Sequence, residues 1–137
     1  MANYSIEWLD DNHTIVYIKV LGDWSWEEAH EAISKQVEMA KTVSHGVHVI
    51  LDFNNQPTLP NGFGVHHIRE LMTFKAPNEL LTVFIGAPRL LSSLLNLIRR
   101  VYGLRNIFDM LRFTDNLEEA LQEIALFDEE HAPDHSD

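Results

Sequence analysis

The hydrophobic period of the chain switches repeatedly, and each switch marks an element. From Tyr4 to Leu9 (YSIEWL) apolar and polar residues alternate, the pattern of a half-buried strand. Asp10 to His13 (DDNH) makes a tight turn, and Thr14 to Val20 (TIVYIKV) is rich in β-branched and aromatic residues, so the pair predicts a hairpin. Gly22 and Asp23 break the second strand. Ser25 with Glu28 forms a capping-box pattern that opens a helix, in which Ala29, Ile33, Val37 and Ala40 recur at helical spacing. That helix is expected to end near Gly46, in the left-handed cap conformation glycine favours.

Val47 to Leu51 (VHVIL) is a solid apolar run ending in Asp52, the mark of a strand buried on both faces. A polar loop with two prolines leads to Asn61, Gly62, Phe63 and Gly64, which open a second helix running from about Gly62 to Phe74. Leu80 to Ile85 is another near-continuous strand, and Pro88 suits the first turn of a third helix reaching about Tyr102. Asp109 to Thr114 predicts a short last strand, and Asp115 or Asn116 caps a final helix carrying Leu117, Ala120, Leu121 and Ile124. The order ββαβαβαβα implies an α/β fold: a mixed, mostly parallel sheet with an antiparallel hairpin edge and helices packed largely on one face. Residues 1–127 form one domain. Residues 128–137 are expected to be an acidic, disordered tail.

Composition narrows the function classes. The 137 residues hold 45 % hydrophobic and 23 % charged side chains, in the range of a soluble globular domain. Zero cysteines exclude a disulfide framework, a thiolate metal site and a cysteine nucleophile, and fit a cytoplasmic location. No stretch is long and apolar enough to span a membrane. A net charge of −11 argues against nucleic acid as a partner. Five of the ten basic residues nevertheless fall between Arg89 and Arg112.

The element order, and the segment from Asp52 to Gly64 above all, resembles the STAS domain of sulfate transporters and anti-sigma-factor antagonists. The likeness spans about residues 4 to 127. Asp52-Phe53 stands where that family ends its strand in Asp-Leu or Asp-Phe, and Gly62, Phe63 and Gly64 look like its Gly-Leu-Gly at the second helix. Phe108 to Ala120 looks like its last strand and helix. The resemblance implies a regulatory protein-interaction module. Members that switch partners are phosphorylated on a Ser or Thr just before the first glycine. Here Asn61 or Gly62 falls at that position, and the nearest hydroxyl, on Thr58, lies on the far side of Pro60. The phospho-switch is therefore expected to be absent.

The resulting candidates each have a plainer alternative. Asn61, Gly62, Phe63 and His66 would form a fixed surface for a protein partner; the plainer role of Asn61 is a helix cap. The third helix is apolar over a wide arc. One stripe is Leu90, Leu94, Leu97 and Val101; the adjacent one, Leu91, Leu95, Ile98 and Tyr102, would serve a small apolar ligand or a homodimer if it is not buried. Trp24 and Trp26 would cover a pocket or close the end of the core. Eight histidines lack ligand spacing, so no metal or other cofactor is expected. Asp52 near His66 or His67 is the one arrangement that would favour an enzyme. With no nucleophile beside it, the expectation is a non-enzymatic protein.

Overall fold

A computed structural model describes residues 3–56, 59–60 and 64–131. β1 (Tyr4–Trp8) and β2 (Ile15–Val20) form the antiparallel hairpin, with Tyr4 opposite Val20 and Trp8 opposite Val16. β3 (Val47–Asp52), β4 (Glu79–Ile85) and β5 (Leu111–Thr114) follow in chain order, each parallel to its predecessor. The helices are α1 (Trp26–Lys41), α2 (Gly64–Thr73), α3 (Arg89–Tyr102), α4 (Arg105–Phe108) and α5 (Leu117–Glu130). The expected α/β order is present with one addition, the four-residue α4. Gly103 and Leu104, both at positive φ, turn the chain after α3, and Leu104, Ile107 and Phe108 then pack on the core. No helix among the described residues is long and apolar enough to cross a membrane.

Strand alternation divides the side chains of the sheet between two layers. Val16, Ile18, Val49, Leu51 and Phe84 turn toward α1, α2 and α3, whereas Ile15, Ile50, Leu81 and Val83 meet Ala120, Ile124 and Phe127 of α5. Both faces of β3 and β4 are thus buried, which is why they read as unbroken apolar runs. The expectation of helices largely on one face holds for α1, α2 and α3; α5 covers the opposite face alone. α5 also runs through Glu130, three residues into the stretch from residue 128 read as tail. Asp128 is held there by His48.

That contact belongs to an irregularity the sequence pattern conceals. Between the pairs Val47–Glu79 and Val49–Thr82, β3 advances two residues while β4 advances three, so β4 bulges. Leu81, inside the bulge, donates its N–H to His48 Nδ1 at 3.2 Å. His48 Nε2 in turn donates to Asp128 Oδ1 at 2.7 Å. The two bonds together select the Nε2–H tautomer. An imidazole that is 1 % exposed thereby replaces a missing ladder bond and ties the sheet to α5.

Turn chemistry follows the sequence closely. Asp10 accepts from the Thr14 and Ile15 N–H groups and the Thr14 hydroxyl. Burial pushes its carboxyl up, but these bonds outweigh that and hold it below the ordinary carboxylate value. Asn54 and Asn55 take left-handed φ after β3, where Asp52 Oδ1 accepts from the Asn54 N–H. Gly46 corrects an expectation: α1 ends earlier, at Lys41, with Thr42 as its right-handed cap, and Gly46 is not at positive φ. Its lack of a side chain answers a close approach instead, since a Cβ there would lie 2.5 Å from Leu80 Cδ1.

Replacing His48 by Leu leaves the Leu81 N–H without an acceptor and should cost about 1–3 kcal/mol in urea unfolding. Asp128→Asn, which alters only a solvent-exposed partner, should cost less than about 1 kcal/mol. Equal losses would contradict the assignment of the bulge bond to His48.

Candidate functional site

The start of α1 is fixed twice. Ser25 Oγ accepts from the Glu28 N–H at 3.1 Å, and the Glu28 carboxylate accepts from the Ser25 N–H at 3.2 Å. The same carboxylate accepts from the Asn3 N–H at 2.8 Å, tying α1 to the strand beside it. Those bonds from Asn3, and then those from Ser25, hold Glu28 below its ordinary value. Trp26, the first residue of α1, is thereby set under the helix and over the sheet. Trp24 meets it edge-on at 5.4 Å and leans on Phe53 at 6.1 Å, and Phe53 stacks on Phe84 at 6.2 Å. Trp26 also stacks on His67 of α2 at 5.1 Å, and His67 Nδ1 lies 3.1 Å from His30 Nε2 of α1.

Beside these aromatic rings lies a partly open apolar cavity of about 130 Å³ between α1, α2, α3 and the sheet. Its size follows from side-chain choice and from helix placement. Ala29 and Ala32 present only methyl groups from α1. The ten-residue α2 lies against α1 and α3 more than against the strands, and Ile68 and Met72 point inward from it. Val49, Leu51 and Phe84 form the floor, and Leu91 and Leu95 close the side. An engineered cavity of about 150 Å³ with similar walls stays dry and admits benzene or xenon. The present one is of that order.

α3 corrects the expected surface. Leu91, Leu95 and Ile98 are buried at 6, 3 and 0 % exposure, so this stripe is no dimer face; Leu91 and Leu95 contribute to the cavity from within. Of that set only Tyr102 is exposed, with the Arg69 guanidinium 4.7 Å over its ring. The stripe that meets solvent is the other one, with Leu90, Leu97 and Val101 about half exposed or more. Both stripes are apolar, so helical spacing alone does not tell which one turns to the sheet.

Asn61, Gly62, Phe63 and Thr58 lie outside the described residues. His66 is exposed on α2 and pairs with Glu70 one turn on. Asp52 is on the other face of the sheet, where its carboxylate accepts from the Tyr17 hydroxyl and the Asn54 N–H. Burial, and then the Asp52 bond, pushes the Tyr17 hydroxyl well above its ordinary value. Asp52 and His66 are therefore not brought together. Among the described residues no three His, Asp or Glu side chains gather as metal ligands. The cavity is only half legible in the sequence: the two tryptophans stand out near a helix start, Ala29 belongs to the helix's apolar spacing, and nothing in the pattern marks Ala32.

Compared with protein-family models, curated proteins and solved structures, the chain matches none.

Leu95→Ala, which removes a buried wall, should lower stability by about 2–5 kcal/mol in denaturant unfolding. Leu97→Ala, on the outer stripe, should change it by no more than about 0.5 kcal/mol. Similar losses at both positions would mean that the outer stripe is buried after all.

Proposed function

We propose that the chain is a STAS-like, non-enzymatic module without a phospho-switch, and that it binds a small apolar ligand between the sheet and α1, α2 and α3. The cavity of about 130 Å³ carries this reading. Apolar walls that face one another across unfilled space forgo the contacts a packed interior makes. A ligand that fills it recovers contacts the protein alone leaves unmade. The STAS-like assignment rests on the hairpin-first order, the Asp52-Phe53 strand end and the glycines at 62 and 64. Zero cysteines suit the reducing cytoplasm as its location.

A second reading, a protein-interaction module, is favoured by one observation: Leu90, Leu97 and Val101 stand exposed in a row on α3. Asn61, Gly62 and Phe63 with His66 are its other proposed contacts. A Leu97→Glu chain that keeps every partner of the natural chain would remove that face from it.

Toluene decides the first reading. At about tenfold its Kd it should stabilise the chain by about 1.4 kcal/mol, a rise of a few degrees in Tm. Ala32→Leu, which fills the void, should abolish the rise while leaving a cooperative transition. No rise with the natural chain, or an equal rise with Ala32→Leu, would reject the cavity as a binding site.

A further inference from the structure

Resting on the protein-interaction reading above, we propose that the partner seated on α3 is a second copy of this chain, docked head to tail through its acidic α5. Leu90, Leu97 and Val101 stand about half exposed or more on α3. Arg89 and Arg100 are exposed on the stripe about 100° round the helix, on the side away from the buried Leu91, Leu95 and Ile98. The outer face of α5 is the counterpart. There Leu121 and Leu126 are exposed among Glu118, Gln122 and Glu129.

Each helix carries a charge that its own dipole disfavours. Arg89 is the first residue of α3, where an anion is preferred, and Glu129 and Glu130 end α5, where a cation is preferred. Arg89, Arg100, Glu118 and Glu129 join no ion pair among the described residues. Packed antiparallel, the start of α3 meets the end of α5, and both misplaced charges gain a partner. The spacing agrees. Arg89 to Arg100 and Glu118 to Glu129 are each eleven residues, about 16.5 Å of helix with both ends on nearly one line. Arg89 then falls opposite Glu129 and Arg100 opposite Glu118, with the apolar side chains between them.

Charge also decides the symmetry. Two copies meeting α3 to α3 about a two-fold axis would set arginine beside arginine, and α5 to α5 would set glutamate beside glutamate. Only α3 against α5 pairs opposite signs. The two helices lie on opposite faces of the sheet, so the two surfaces of one copy cannot meet each other. A contact between unlike surfaces that does not close grows into strings of copies. The net charge of −11 opposes this only weakly, because physiological salt screens charges beyond about 8 Å. A single pair of short helices falls at the small end of interface sizes, below about 1,200 Å², so assembly should depend on concentration.

Sedimentation velocity over rising protein concentration reads the assembly. The natural chain should pass from monomer to species larger than a dimer, with association weakened about threefold or more by high salt. Arg89→Glu/Arg100→Glu and Glu118→Arg/Glu129→Arg change exposed side chains only, and thermal unfolding checks that both variants keep the fold. Each alone should associate at least about tenfold more weakly than the natural chain, since opposite pairs become like ones. Mixed in equal amounts they should assemble again, because the acidic α3 of one meets the basic α5 of the other. A natural chain that stays monomeric or stops at a dimer, a Glu118→Arg/Glu129→Arg chain that assembles as well as the natural one, or a mixture that fails to recover would overturn the head-to-tail assignment. The protein-interaction reading survives those results and answers to Leu97→Glu. A Leu97→Glu chain that assembles as the natural one does and keeps every partner would reject the α3 face, and this proposal with it.

Discussion

Of the three helices laid across one face of the sheet, α1 meets the strands most closely, while α2 and α3 pack chiefly on each other. α1 reaches the strands through Ala32 and Val37, and the inner side chains of α2 and α3 share one apolar cluster with Val20 and Phe84. What would be the centre of that layer is left partly open. On the opposite face α5 meets the strands directly through Ala120, Ile124 and Phe127. The sheet is therefore tightly covered on one side and loosely bridged on the other. Interiors are normally close-packed, so the loose side is the informative one.

Much of this architecture was legible because local chemistry and global fold agree. The alternation of β1, the β-branched β2 and the Asp10 turn specify the hairpin. Ser25 and Glu28 specify where α1 begins, and Asn116 does the same for α5 through its bond from the Glu119 N–H. Other features were illegible because they depend on what two distant segments do to each other. The bulge in β4 is visible only through His48, whose ring replaces a backbone acceptor. Gly46 looked like a helix cap, yet it answers to the packing of Leu80. On α3 two apolar stripes compete, and only the position of the sheet chooses Leu91, Leu95 and Ile98 as the inner one.

The candidate site was less legible than the fold for a related reason. A void is written in the sequence as smallness, and Ala29 and Ala32 at helical spacing look the same whether the space beside them is filled or empty. Trp24 and Trp26 were visible as aromatics near a helix start, but not the cavity beside them. Asp52, the conspicuous acid at the end of a buried strand, is taken up by Tyr17 and the turn at Asn54. The apolar cavity thus lies beneath α1, on the far side of the sheet from the strand-end acid.

Xenon tests that account most directly, because it has no head group and reports empty apolar space alone. In crystals of the unliganded chain held under xenon pressure, a xenon atom should lie between α1, α2 and the sheet, within contact of Ala32 and Leu95. Crystals that take up no xenon there, with the side chains of that layer closed on one another, would contradict it.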